Sequence, residues 1–176
     1  SPTPQQGKST IANYLENSYD YKRLSFASPL LEMIETFLMH HGLTMEEICH
    51  YCRRAKEQPI PGVGQSYRHL ARTLGTEWGR NLIRQTTWLD ALEKKFDRFS
   101  SEHPIVIDDL RFRNEAVLAA KKGCLLVQVT RNVDRRHVND THQSDIDLAS
   151  FDGWDCTIGN NGTLEELYKA VSGIIQ

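Results

Sequence analysis

The sequence predicts an α/β fold with a mostly parallel sheet. Short apolar runs typical of buried strands alternate with segments of amphipathic helical spacing, and no internal repeat interrupts this order. The strand patterns lie at residues 22–26, 104–107, 125–130 and 155–158. The helical patterns lie at residues 9–17, 29–40, 44–54, 66–74, 77–84, 88–99, 114–122 and 163–174. We expect one domain over residues 1–176, of which 27–100 are largely helical.

Local sequence patterns support the individual predicted elements. The apolar run Ile105–Ile107 is the clearest strand, and Leu164, Leu167 and Val171 share one face of the last helix. Residues 53–65 turn basic and then rich in proline and glycine, which predicts a mobile loop. A second irregular, charged segment follows the third strand. Both segments read as insertions into the α/β core.

Composition excludes several classes of protein. Of 176 residues, 39% are hydrophobic and 25% are charged, with a net charge of −2, which excludes a disordered or collagen-like chain. The apolar runs are far shorter than the roughly 20 residues that span a bilayer, and no signal-peptide pattern opens the chain. We therefore expect a cytoplasmic protein without membrane contact.

The four cysteines do not form a disulfide framework. Cys49 and Cys52 make a C-x-x-C pair with His40, His41 and His50 nearby, so a zinc site is one interpretation. No second C-x-x-C pair follows, and residues 44–54 have helical spacing. These observations favour buried or half-buried thiols.

The basic residues are mostly arginines. Of 21 basic residues 13 are Arg, clustered at 68–84, 111–113 and 131–136. The planar guanidinium holds phosphate oxygens bidentately, and the slightly acidic balance disfavours a nucleic-acid polymer as the partner. We expect small phosphorylated ligands.

Gly7-Lys8-Ser9-Thr10 leads straight into an amphipathic helix. This is the second half of a phosphate loop, in which backbone amides hold phosphate oxygens, the lysine reaches the β- and γ-phosphates and the hydroxyl binds Mg²⁺. We place Gln6 in the same nucleotide-binding loop. Pro2 stands where the full pattern has its first glycine, so a divergent loop and a chance match both stay open.

Two carboxylates follow the clearest strand. Asp108 and Asp109 come directly after Ile105–Ile107, and the carboxyl end of a parallel strand is where ligands bind in open α/β sheets. Either carboxylate can hold Mg²⁺ together with Ser9. The alternative is that they only cap the next helix.

A second phosphate site is predicted among the helices. Arg68 and Arg72 are one helical turn apart, and with Arg80 they can surround an acceptor phosphate. Trp78 and Trp88 offer flat surfaces on which a base can stack, although both can equally be core residues.

The charged segment after the third strand is a candidate lid. Arg131, Arg135 and Arg136 can stabilise the charge of a phosphoryl group in transfer while the lid excludes water. His137 and His142 are poor candidates for a catalytic base, because a phosphate acceptor is already a nucleophile near neutral pH. The lid is expected over residues 131–148.

Six stretches, at 7–15, 23–30, 70–83, 105–116, 129–148 and 158–167, resemble in family order the phage-type deoxynucleoside monophosphate kinases of the P-loop class. The most specific are GTEWGRNLI at 75–83 and DDLRFRNE at 108–115. The resemblance implies a three-layer P-loop kinase-like fold with a mostly parallel sheet, a helical substrate-binding insertion and a lid.

The resemblance also implies roles for individual residues. Lys8, Ser9 and Thr10 bind the ATP phosphates and Mg²⁺, and Asp109 matches the strand-end aspartate of the family. By the same resemblance the remaining positions are Arg111, Arg113, Asn114 and Glu115 near the reacting phosphates, Arg68, Arg72, Glu77, Trp78 and Arg80 at the monophosphate, and Asn160, Gly162 and Thr163 against adenine.

The expected activity is ATP-dependent phosphoryl transfer to a deoxynucleoside 5′-monophosphate, with ATP and the monophosphate as small-molecule partners. One alternative is a P-loop kinase for another phosphomonoester such as phosphomevalonate. Another, suggested by Pro2, is an inactive nucleotide-binding module. A nucleic-acid-binding protein is disfavoured by the charge balance. The sequence leaves monomer and homodimer open.

Overall fold

The computed structural model describes residues 6–132, 148 and 151–175. The chain forms two compact units. The first unit comprises residues 1–25 and 92–176, and the second unit comprises residues 26–91. Arg135, Arg136, His137 and His142, and most of the expected lid, lie outside the described residues.

Helices and short strands make up the described part of the chain, with a run of helical elements between the first two strands. The helices are α1 (Lys8–Tyr19), α2 (Ser28–His40), α3 (Met45–Arg53), α4 (Tyr67–Arg72), a π-helical segment (Thr73–Ile83), α5 (Thr87–Phe99), α6 (Arg113–Lys121) and α7 (Leu164–Ile175). The strands are β1 (Lys22–Leu24), β2 (Ile105–Ile107), β3 (Val127–Thr130) and β4 (Cys156–Gly159). In the described part of the chain, no helix is long and apolar enough to cross a membrane.

The strands of the first unit are parallel. β1 pairs with β2 so that Leu24 lies opposite Ile107, and β3 pairs with β4 so that Thr130 lies opposite Gly159. The mixed α/β composition and the parallel direction of the strands confirm the predicted class. The single predicted sheet is not found among the described residues, where the four strands form two separate pairs.

Two apolar clusters lie among the described residues of the first unit. Helices α1 and α7 pack with β4 through Leu15, Leu167, Val171 and Ile158, each no more than 6% exposed. The second cluster joins α6 to the residues around β3, and its buried members are Ala116, Ala119, Leu126 and Leu148. A mainly apolar cavity of about 590 Å³ in this unit is lined by all of β2 and by Val127 and Val129 of β3, with Lys8 and Asp108 also on its wall. Both strand pairs therefore contribute residues to the same cavity.

The second unit is helical around one core. Leu38 and Ile48 from α2 and α3 are fully buried, and Ile60 from the 53–65 segment is fully buried with them. The Ile60 amide donates to the Gln65 carbonyl at 2.9 Å, and the Gly64 amide donates to the Ile60 carbonyl, also at 2.9 Å. The predicted loop is present, but Ile60 anchors it in the core.

One helix prediction is wrong. The pattern suggested that a helix ends at 74 and another begins at 77, whereas α4 runs on without a break through the π-helical segment. The Trp88 indole nitrogen donates to the Gly75 carbonyl at 2.7 Å, and a Cβ on Gly79 would lie 2.5 Å from the Trp88 ring. Gly79 thus allows the tryptophan to pack closely against this segment, Gly75 accepts its hydrogen bond through the backbone, and neither glycine ends the helix.

Candidate functional site

Polar side chains of the first unit meet where β1 and β2 end. The register that pairs Leu24 with Ile107 brings Ser25 and the two aspartates to the same edge. The Ser25 hydroxyl donates to Asp109 Oδ2 at 2.7 Å. The Ser9 hydroxyl, at the start of α1, donates to Asp108 Oδ2 at 2.8 Å. Both aspartates and the Gly-Lys-Ser-Thr segment therefore belong to one cluster.

Asp108 is held by an arginine that the sequence analysis did not single out. Arg23 Nε donates to Asp108 Oδ1 at 3.0 Å, and Arg23 Nη2 pairs with Oδ2. The Asp108 side chain is 9% exposed. Arg23 also donates through Nη1 to Asn13 Oδ1 at 2.8 Å. The bidentate pair fixes the plane of the carboxylate.

Lys8 lies half-buried beside this cluster. The pKa of Lys8 is lowered to about 8, chiefly by burial and also by the nearby Arg111 guanidinium, while Asp108 opposes the shift. Loss of solvent and a neighbouring like charge both disfavour the ammonium form. The ammonium form of Lys8 would be favoured by an anion that binds here.

The loop before α1 has a conformation that glycine permits. Gly7 has φ of 100°, and a Cβ there would lie 2.3 Å from Asn160 Nδ2. Asn160, which follows β4, donates from this nitrogen to the Gln6 carbonyl at 2.9 Å, and Gln6 is 5% exposed. Asn160 therefore holds the backbone of the loop in place. Thr10 lies half-buried in the first turn of α1.

The segment after β4 also starts the last helix. The Thr163 amide donates to Glu166 Oε2 at 2.7 Å, and the Glu166 amide donates back to the Thr163 hydroxyl at 3.2 Å. A Cβ on Gly162 would lie 2.1 Å from the same carboxylate oxygen. These contacts form a capping box that fixes the start of α7.

The DDLRFRNE stretch turns from β2 into α6. Glu115 is 2% exposed, and its Oε2 accepts from the Arg111 amide at 2.7 Å and the Phe112 amide at 3.0 Å. Arg111 and Arg113 are exposed, and Asn114 is half-buried. Glu115 thus fixes the turn from which the two arginines extend. Arg131 is exposed at the end of β3.

The second unit holds the predicted acceptor residues. Arg68 is paired with Glu57, and Arg72 is half-buried. Arg80 is 4% exposed, and its Nη1 donates to the Gln85 carbonyl at 3.3 Å. Glu77 is exposed.

The two tryptophans of this unit differ in exposure. Trp78 is 37% exposed and Trp88 is 4% exposed, with ring centroids 6.3 Å apart. The burial of Trp88 and its hydrogen bond to Gly75 favour the core interpretation for this residue. Trp78 keeps a surface that a base can contact.

Hard oxygen donors form the candidate metal site. The Ser9 hydroxyl and the carboxylates of Asp108 and Asp109 are the oxygen ligands that Mg²⁺ takes together with phosphate and water. The donor set therefore fits Mg²⁺. In the described ranges no three His, Cys, Asp or Glu side chains are grouped as a metal site. Cys49 is an exposed free thiol, and Cys52 is a half-buried one.

Sequence reasoning missed Arg23 and Ser25. Arg23 and Ser25 lie in the 23–30 stretch, but no motif gives either of them a role. The usable signal was positional, because Arg23 is a basic residue in a short strand whose parallel neighbour ends in two aspartates. This signal can be used only once the pairing of β1 with β2 is known.

The arrangement of these side chains indicates a class of protein, and a comparison with known proteins gives the family. Parallel strands that end in carboxylates, beside a lysine at a helix N-terminus, are typical of α/β proteins that bind phosphorylated ligands. Residues 62–171, more than half of the chain, match the family described as deoxynucleotide monophosphate kinase. The chain belongs to this family.

A viral protein resembles nearly the whole chain. It is 28% identical to this chain over 181 positions, which cover 94% of this chain and 88% of the relative. That relative, from Acanthamoeba polyphaga mimivirus, is named "Putative deoxynucleotide monophosphate kinase". At the level of the family, both comparisons support kinase activity on a nucleotide.

Proposed function

We propose that this protein transfers the γ-phosphoryl group of ATP to the 5′-phosphate of a deoxynucleoside monophosphate. The products are ADP and the deoxynucleoside diphosphate. The observation that carries the proposal, beside family membership, is the cluster in which Lys8 and Ser9 meet Asp108 at the carboxyl end of β2. In this proposal the first unit is the core of a three-layer P-loop kinase-like fold.

The donor phosphates bind at the start of α1. The backbone of Gln6 and Gly7, held by Asn160, presents amides to the phosphate oxygens, and Lys8 approaches the β- and γ-phosphates. Ser9, Asp108 and Asp109 hold Mg²⁺, which when bound neutralises charge on these phosphates. Thr10 contacts the same phosphates, and the segment with Asn160, Gly162 and Thr163 lies against adenine.

In this proposal the acceptor monophosphate is held in the helical second unit. Arg68, Arg72 and Arg80 hold the monophosphate, and Glu77 and Trp78 contact its nucleoside. Trp88 supports this region from the core of the second unit through its bond to Gly75. In the first unit, Arg111, Arg113 and Asn114 lie near the reacting phosphates, and Glu115 fixes the turn that carries them.

Catalysis in this proposal is positioning and charge stabilisation. The acceptor phosphate is a nucleophile near neutral pH, so no residue has to remove its proton. Lys8 and the lid arginines Arg131, Arg135 and Arg136 stabilise the charge of the phosphoryl group in transfer.

The test is a coupled ADP-release assay with ATP and Mg²⁺ over all natural deoxynucleoside and nucleoside monophosphates. Phosphomevalonate serves as an acceptor without a base. We expect turnover with at least one deoxynucleoside monophosphate, and none with phosphomevalonate. Turnover with phosphomevalonate alone would identify a different phosphomonoester kinase.

The inactive alternative has its own signature. Calorimetry that detects ATP binding, together with no turnover on any monophosphate, would identify a nucleotide-binding module and refute the kinase proposal. The Lys8→Met variant is the matched control, since it removes the ammonium and keeps an apolar stem of similar length. We expect it to reduce turnover by at least about 100-fold.

A further inference from the structure

We propose that Arg23 is a positioning residue for phosphoryl transfer. In this proposal it holds the Asp108 carboxylate in the orientation in which that group accepts the Ser9 hydroxyl. The inference rests on the proposed function, because Ser9 and Asp108 lie in the donor part of that site. Neither the family match nor the sequence motifs give Arg23 a role.

The geometry on the Asp108 side is specific. Arg23 uses two nitrogens, Nε on Oδ1 at 3.0 Å and Nη2 on Oδ2. Ser9 donates to the same Oδ2 at 2.8 Å. Because one oxygen serves both donors, a rotation of the carboxylate disturbs both bonds together. A lysine has no second donor in the same plane and cannot fix that rotation.

The strand pairing explains why residue 23 can do this. Arg23 lies opposite Val106 in the parallel ladder, and Val106 is two residues before Asp108. The Arg23 side chain is 30% exposed. The Asp108 side chain is 9% exposed, so bulk water contributes little to its orientation. The arginine therefore supplies much of what fixes this carboxylate.

Arg23 also has contacts that suggest a purely structural role. Its Nη1 donates to Asn13 Oδ1 at 2.8 Å, and Glu16 Oε2 lies 3.7 Å from the same nitrogen. Both residues belong to α1, so Arg23 links β1 to that helix. Mutations can separate the two sets of contacts, because Asn13 belongs to the set formed with α1 and Asp108 to the set formed after β2.

The experiment is a pair of double-mutant cycles on the full chain, Arg23→Gln with Asp108→Asn and Arg23→Gln with Asn13→Ala. The first readout is the gain in ATP affinity on adding Mg²⁺, measured by calorimetry as the ratio of Kd values without and with the metal. The second is the kcat and the KM for the monophosphate. Arg23→Lys is added as a variant that keeps the charge.

We expect Arg23→Gln to reduce the Mg²⁺-dependent gain and the kcat by about 10-fold each, with little change in the monophosphate KM. Asp108→Asn should produce a loss of similar kind, and the double variant should lose little more than Asp108→Asn alone. Arg23→Lys should recover only part of the loss. Asn13→Ala should leave both readouts within about twofold of wild type.

Several results would overturn the inference. One is additivity of the Arg23 and Asp108 changes in both readouts, and another is a coupling of Arg23 with Asn13 instead. Full recovery by Arg23→Lys would mean that charge alone matters. If wild type turns over and Arg23→Gln behaves like wild type, the role of Arg23 fails while the proposed function stands. A wild type that neither binds ATP with Mg²⁺ nor turns over refutes both.

Discussion

At the scale of single residues, the fold changes the chemistry of Lys8. Its pKa of about 8 lies below the 10.5 of an unfolded lysine. Between pH 8 and 10.5 the unfolded chain binds more protons at Lys8 than the folded chain does, so the free energy of unfolding rises with pH in this range. Below pH 8 the charged Lys8 destabilises the folded state. The cation is retained at a cost to the folded state.

We predict that Lys8→Met raises the free energy of unfolding at pH 7 by about 1–2 kcal/mol, a value reduced for the partial exposure of the side chain. The gain should shrink as pH rises from 8 toward 10.5. Urea denaturation at pH 7 and at pH 10 checks both points. A variant less stable than wild type at pH 7 would contradict the assignment.

The same pKa predicts how ATP binding depends on pH. Bound phosphates favour the ammonium form, so binding takes up a proton when Lys8 is partly neutral. ATP affinity should therefore fall as pH rises through about 8. Calorimetry in two buffers of different ionisation enthalpy reports the proton uptake directly, and the Lys8→Met variant should show none from this group.

Gly7 combines a left-handed backbone with a close neighbour. Gly7→Ala should lower the free energy of unfolding by about 1–2 kcal/mol because of the positive φ. It should lower it further because the Asn160 hydrogen bond to the Gln6 carbonyl is lost. Gly42→Ala is the matched control, because Gly42 has φ of 86° and nothing within 4 Å of a Cβ. Urea denaturation of both variants gives the difference. Equal losses would mean that the approach of Asn160 is not important.

At the scale of elements, the π-helical segment depends on its packing against Trp88. Gly79→Ala should destabilise the protein by about 1–3 kcal/mol, because a Cβ would lie 2.5 Å from the buried ring. Gly173→Ala in α7 is the control, since nothing lies within 4 Å of its Cβ. It should stabilise by about 0.5–1 kcal/mol. Thermal unfolding followed by tryptophan fluorescence measures both.

At the scale of the whole molecule, ligand binding should raise stability. ATP with Mg²⁺ at about 100 times its Kd should add about 2.7 kcal/mol, which corresponds to a Tm increase of about 5–10 °C for a chain of this length. Differential scanning fluorimetry checks this, with Lys8→Met as the variant in which most of the increase is lost. An unchanged Tm for wild type at that concentration would contradict the donor site.

The element order was readable from sequence, since apolar periodicity is a local property. The helix break predicted between residues 74 and 77 was wrong because Gly79 serves in this segment to let the Trp88 ring approach, and that contact comes from outside the local pattern. The meeting of Ser9 with Asp108 was predictable from the rule on parallel strand ends, although their roles remain a proposal. Arg23 was not predictable, because its function depends on which strand lies beside β2.

The interruption of the first unit by residues 26–91 has a consequence for the order of folding. β1 is synthesised before the second unit, whereas its partner β2 begins 83 residues after Lys22. The two strands can therefore pair only after the intervening chain has been synthesised. The second unit is continuous and rich in contacts between nearby helices, which form quickly. On the ribosome the helical insertion should acquire structure first, and the parallel pair should close behind it.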